Sequence, residues 1–149
     1  MKVKDIMTKD VIAVNKDTSV KAVAELMAEK KISGVPVIDA KGRVEGIVTE
    51  SDIVYRDKRI HIPTMIALFG SVIYLESPAH LKDELTKVLG TRVEDIMTKE
   101  VHTVNEDTDV ADAASMMVDK KFDVLPVLRD KELVGIISKA DVIKSIAKE

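Results

Sequence analysis

The stretch Ile32–Asp52 reads I-S-G-V-P-V-I-D-A-K-G-R-V-E-G-I-V-T-E-S-D, and Phe122–Asp141 repeats its plan as F-D-V-L-P-V-L-R-D-K-E-L-V-G-I-I-S-K-A-D. Each copy carries an apolar run through a proline, a polar turn, a second apolar run with a glycine, and a hydroxyl residue three positions before an aspartate. Val35–Asp39 and Val44–Val48 are predicted to pair as a hairpin across the glycine-containing turn Ala40–Arg43. Thr49 then caps a helix running to about Arg59.

The duplication extends outward from this stretch. Val3–Lys9, V-K-D-I-M-T-K, matches Val93–Lys99, V-E-D-I-M-T-K, at an offset of ninety positions. The register persists through Asp17-Thr18 and Asp107-Thr108, and through Pro36 and Pro126, with about half of the positions identical. Past the second turn the offset drops by one, so Gly46, Thr49 and Asp52 match Gly135, Ser138 and Asp141. Deletion at a turn is what two copies of one fold tolerate.

Each repeat therefore reads β-α-β-β-α, an α/β (α+β) class. Lys4–Thr8 is a short helical turn and Val11–Val14 an extended segment. Thr18 is the expected cap of a helix to about Lys30, with Val20, Val23, Ala24 and Met27 on one face. The second repeat has a strand at Val101–Val104, a helix from Thr108 to about Lys120, strands at Leu125–Leu128 and Leu133–Ile137, and a final helix from Ser138. Repeats of about 60 residues bury little core alone, so the two are expected to fold against each other. The expected division is 1–60, a connector at 61–90, and 91–149. The connector is strongly apolar over Ile62–Leu75, and Leu81, Leu85, Val88 and Leu89 form a helical stripe; we read it as a helical hairpin packed on the module or on a second subunit.

Composition narrows the function. The 149 residues are 46% hydrophobic and 33% charged, as in a globular protein, with a net charge of -3. The acidic balance and the four aromatics, two Tyr and two Phe, argue against nucleic-acid binding. Without cysteine there is no disulfide, thiol catalysis or thiolate metal site. No signal peptide or membrane-length apolar run is visible, which points to a cytoplasmic protein. His61, His80 and His102 lack metal-ligand spacing, and no Walker loop, G-x-G-x-x-G, G-x-S-x-G or Ser-His-Asp pattern appears. The expectation is a protein without catalysis.

The order D-I-M-T, capped helix, G-V-P-V-I-D, G-R-V-E-G-I-V and T-E-S-D, repeated as D-I-M-T, L-P-V-L-R-D, L-V-G-I-I and S-K-A-D, resembles a tandem pair of CBS domains, a Bateman module. The resemblance covers nearly the whole chain outside the connector. It implies a pseudo-twofold pair of repeats with two clefts, a homodimer of such modules, and binding of AMP, ADP, ATP or S-adenosylmethionine as regulatory ligand. Magnesium would enter only with a polyphosphate. Because the chain ends soon after repeat two, the output is expected to pass to a separate, regulated protein.

The residue chemistry suits such a ligand. A carboxylate accepts from both ribose hydroxyls, a role for Asp52 and Asp141. Thr49 and Ser138, beside helix N-termini, are placed to donate to phosphate. Adenine is expected among Ile12, Ala13, Val35 and Pro36 in one cleft, and among His102, Thr103, Leu125 and Pro126 in the other. Ser33-Gly34 lets backbone approach the ligand, whereas Asp123-Val124 brings a second carboxylate and a bulkier residue, which disfavours phosphate. The Thr49/Asp52 site is therefore the favoured one, with Arg56, Lys58 and Arg59 as candidate phosphate partners; repeat two offers only Lys144 in that region, and Lys31 and Lys121 are either further phosphate partners or plain charges at helix C-termini. The plainer role of the four hydroxyl and acid residues is helix capping. The alternative function is a structural interaction module with empty clefts and the apolar connector as its surface.

Overall fold

The computed structural model describes residues 1–54 and 91–149, so the whole of the expected connector, 61–90, lies outside the described residues. The elements are α1 (Val3–Ile6), α2 (Val20–Lys30), β1 (Gly34–Ile38), β2 (Val44–Thr49), α3 (Glu50–Val54), α4 (Val93–Ile96), β3 (Val104–Asn105), α5 (Val110–Lys120), β4 (Val124–Arg129), β5 (Glu132–Ser138) and α6 (Lys139–Ala147). Each repeat thus has a lead turn, a long helix, a hairpin and a second helix.

The hairpins form as the alternation requires. β1 and β2 pair antiparallel with Gly34 opposite Thr49 and Pro36 opposite Ile47, and β4 and β5 pair with Val124 opposite Ser138 and Pro126 opposite Ile136. On its outer side β1 meets, among the described residues, only Val14, which donates to the Pro36 carbonyl at 3.0 Å while its own carbonyl accepts from Ile38 at 2.8 Å. That pattern needs no N–H from Pro36, which is why a proline fits inside the strand. The expected strand Val11–Val14 is accordingly reduced to a single parallel bridge at Val14, and Val101–Val104 to the two-residue strand β3 beside β4. The turns differ as the deletion predicts. Asp39 accepts from the amides of Lys41 and Arg43 with Gly42 at φ +78°, while the shorter second turn puts Asp130 and Lys131 at positive φ.

Two helix starts depart from expectation by one residue. Ser19, not Thr18, caps α2, accepting from Ala22 N–H at 3.1 Å. Asp109 rather than Thr108 takes the cap position of α5. The preceding threonines serve their own turns instead. Thr18 Oγ1 donates to Asn15 at 3.3 Å, and Thr108 Oγ1 accepts from Asn105 N–H at 3.2 Å.

The cores reveal how the repeats join. Val93 and Ile96 of α4 are buried with Val20, Val23, Met27, Val35, Val37 and Val48 of repeat one, and Met97 packs on them. Reciprocally, Val3 of α1 is buried with Met117, Leu125, Val127 and Ile137 of repeat two, with Ile6 and Met7 alongside. Each lead turn has been exchanged into the other repeat's core. Backbone bonds fasten both crossings. Val3 N–H donates to Thr108 O and Val93 N–H to Thr18 O, each at 2.8 Å, and Thr98 and Ile47 exchange bonds at 2.9 and 3.0 Å.

The exchange explains the glycine shared by both second strands. A Cβ on Gly46 would sit 2.6 Å from Met97 Sδ, 2.9 Å from its Cγ and 3.1 Å from the Thr98 carbonyl, and Gly135 meets Met7 and Thr8 in the same way. Only glycine lets the methionine lie flat on the strand. Gly46→Ala is expected to lower stability by about 1–3 kcal/mol through overpacking, measured by denaturant melts. An unchanged midpoint would show that the methionine has room to move.

Exposed ion pairs also cross between repeats: Lys2 with Asp109 at 2.9 Å and Lys4 with Asp107 at 2.7 Å. Their hydrogen bonds and charges hold both aspartates below the usual carboxylate range and raise Lys4. Carboxyls with depressed folded values stabilise the fold above their unfolded value of about 3.9 and lose that contribution as pH falls through the folded value. Below about pH 4 the melting temperature is therefore expected to fall less steeply for an Asp107→Asn/Asp109→Asn double variant than for the native protein. Parallel declines would assign acid sensitivity to other groups.

Candidate functional site

Both predicted hydroxyl–aspartate pairs close on themselves at a helix start, and the pair in repeat two is a reciprocal cap. In repeat two, Ser138 N–H and Oγ donate to Asp141 Oδ2 at 2.8 and 2.9 Å, and Asp141 N–H donates back to Ser138 Oγ at 3.2 Å. In repeat one, Thr49 N–H and Oγ1 donate to Asp52 Oδ2 at 2.8 and 3.3 Å. The hydroxyls expected to face phosphate are thus turned toward their own aspartates.

The aspartates then diverge. Thr98 Oγ1, brought across by the exchanged lead turn, donates to Asp52 Oδ1 at 3.0 Å, so both Asp52 oxygens have donors. Thr8 is the matching residue at the other end, but it stands exposed, and no described residue donates to Asp141 Oδ1.

A cavity of about 470 Å³ opens beside Asp141. Repeat one supplies Ile12, Lys31, Ile32, Ser33, Gly34 and Glu50 together with Thr8 and Asp10, and repeat two supplies among others Asp123, Val124, Ser138, Lys139, Asp141 and Lys144. This is large enough for a small ligand. Lys31, at φ +54°, ends α2 and turns the chain toward β1. Lys139 pairs with Asp123 at 3.0 Å, and its N–H donates to the Asp123 carbonyl at 3.0 Å.

The composition of this cleft crosses the boundaries expected from the repeats. Ile12, Ser33 and Gly34 gather with Asp141, where the sequence placed them with Asp52. Gly34 lies where the repeats touch, since a Cβ there would meet Val124 Cγ2 at 2.6 Å. Val35 and Leu125 face the two cores and are 0% and 1% exposed, so their side chains do not reach a cleft; Pro36 and Pro126 are buried as well. Ala13 lines a separate cavity of about 720 Å³ with Asp17, Asp39 and Glu45. His102 is exposed, and its ring lies 4.8 Å from that of Phe122, tilted by 35°. These two occupy the positions of Ile12 and Ile32 in the other repeat, and Thr103 is half-buried beside them. Lys144 joins the described cleft and Lys121 does not, while Arg56, Lys58 and Arg59 lie outside the described residues.

Sequence reasoning missed Thr8, Asp10, Ile32, Glu50 and Lys139. The signal was there in part, because the lead turn repeats as faithfully as the hairpin. Only the exchange shows that its end reaches the opposite aspartate. Among the described residues no group of three or more His, Asp or Glu side chains is placed to hold a metal ion. None of the described helices is long and apolar enough to cross a membrane.

Fold and site define a tandem-repeat module whose cleft is built jointly by both copies. The chain belongs to the CBS domain family, which it matches twice, over residues 3–59 and 93–148. It is 34% identical to an uncharacterised protein of Methanocaldococcus jannaschii, covering 98% of this chain and 91% of that one. It is 33% identical to the CBS domain-containing protein CBSX2, chloroplastic, of Arabidopsis thaliana, over 95% of this chain and 61% of that one. A crystal structure of CBSX2 in complex with AMP superimposes with a TM-score of 0.71 at 30% identity, covering 99% of this chain and 96% of that one. The CBS domain of a membrane protein from Sphaerobacter thermophilus gives 0.76 at 27% identity, over 97% and 86%.

Proposed function

We propose that the protein is a regulatory sensor of an adenosine compound, bound in the cleft beside Asp141, that passes ligand state to a separate protein. The observation that carries this reading is the cleft itself, shared between repeats and presenting a carboxylate oxygen without a described donor. In this reading Asp141 Oδ1 accepts from the ribose hydroxyls, Ile12 and Ile32 cover the base, and Gly34 admits the ligand close to the backbone. The AMP complex of the related CBSX2 supports the ligand class. Sensing follows from construction. A ligand touching both repeats binds one mutual arrangement better than another and so shifts the balance between them.

The same reading ranks the clefts, putting Asp141 ahead of Asp52, whose oxygens are taken by Thr49 and Thr98. No catalytic role, resident cofactor or dedicated magnesium site belongs to it. A homodimer is proposed, with the exposed Ile143 and Ile146, three residues apart on α6, offering an apolar face to a second copy. The compartment in this reading is the cytoplasm, where adenine nucleotides are available.

Calorimetric titration with AMP, ADP, ATP and S-adenosylmethionine tests the reading. Binding of at least one compound is expected, with Asp141→Ala weakening it ten-fold or more and Asp52→Ala by less. Absence of binding at millimolar ligand would leave a structural interaction module as the function.

A further inference from the structure

The described cleft carries a charge pattern that bears on which adenosine compound it takes. Its titratable lining is Asp10, Glu50, Asp123 and Asp141 against Lys31, Lys139 and Lys144, so carboxylates outnumber ammonium groups. One of those cations is already committed, since Lys139 Nζ lies 3.0 Å from Asp123 Oδ1. The helix start offers little further anion capacity. Of its amides, Ser138 donates to Asp141 Oδ2, Lys139 to the Asp123 carbonyl and Asp141 to Ser138 Oγ, and the Ser138 hydroxyl proton is directed at Asp141. ADP and ATP bring about one and about two negative charges beyond AMP and would meet this carboxylate-rich wall with few donors left.

Two of the differing charges sit at the helix start. Where repeat two has Asp123 and Lys139, repeat one has Ser33 and Glu50. The backbone contact is kept in both copies, from Lys139 N–H to Asp123 O at 3.0 Å and from Glu50 N–H to Ser33 O at 3.2 Å. The geometry has been retained while the charges changed, so the ion pair is not needed to hold the helix start.

We infer that the Asp141 cleft selects adenosine compounds carrying at most one phosphate over ADP and ATP, and that Asp123 is a specificity-determining residue, repelling further phosphates and holding Lys139 away from them. This rests on the adenosine-sensor reading and names the ligand class of the same cleft. S-adenosylmethionine, with no phosphate, falls on the accepted side.

The test is titration of the full-length protein with AMP and ATP in magnesium-free buffer, on the native chain and on Asp123→Ser and Lys139→Gln. The readout is the ratio of ATP to AMP affinity, which a general loss of folding does not shift in opposite directions in two variants. The native ratio is expected below one. Asp123→Ser, which installs the residue of the other repeat and frees Lys139, is expected to raise it roughly ten-fold. Lys139→Gln is expected to lower it. A native preference for ATP, or a ratio unmoved by Asp123→Ser, overturns the inference while leaving the sensor reading intact. Failure of every adenosine compound to bind the native protein overturns both.

Discussion

Everything in this molecule depends on the exchange of the two lead turns. Neither hairpin-and-helix unit has a complete core of its own. Val93 and Ile96 fill repeat one, and Val3 fills repeat two. Each insertion is possible only because Gly46 or Gly135 leaves room for a methionine against the strand. The consequence is energetic as well as geometric. Separating the repeats would open both cores at once and expose the buried Val3, Val93 and Ile96 to water, so the halves do not part easily.

The same exchange builds the clefts. A lead turn that crosses to the other repeat carries the threonine at its end to that repeat's aspartate. Thr98 reaches Asp52 in this way, and Thr8 reaches the wall beside Asp141. The residues between lead turn and long helix follow it, which is how Ile12 comes to share a cavity with Ser138. A ligand seated there touches segments from both copies. Its binding energy therefore couples to the angle between the repeats rather than to the shape of either one, and coupling of that kind is what a regulatory module requires.

Much of the fold was legible because duplication doubled every local signal. The hairpins, the long helices and the shortened second turn follow from β-branched alternation, helical spacing and a one-residue offset change, and all are present. The Thr49–Asp52 and Ser138–Asp141 spacings announced helix starts correctly. What stayed hidden was long-range. A self-alignment shows that two lead turns are alike but not which core each enters, since both cores offer equivalent apolar faces. The strand expected at Val11–Val14 shrank because only Val14 lies beside β1, and local apolarity does not report a neighbour. Val35 and Leu125 were misplaced for a related reason. Alternation sorts a strand's residues into two faces, yet without the helix positions it does not say which face meets the core and which the cleft.

Near-identical backbones with unlike charges are the more informative outcome of this duplication. The exchanged valines, the glycines under the methionines and the hydroxyl–aspartate spacing at the second helix start hold the fold, and those are shared between repeats. The cleft walls are not shared: Ser33 corresponds to Asp123, Glu50 to Lys139, and Ile12 and Ile32 to His102 and Phe122. Pseudo-symmetry sets two equivalent sites in space, but a site is defined by its donors and charges. At one aspartate a threonine has closed on the carboxylate; at the other it stands back and leaves an oxygen without a described donor. Two copies of one scaffold have thereby become one occupied cap and one open cleft, and the difference resides in side chains that the fold does not need.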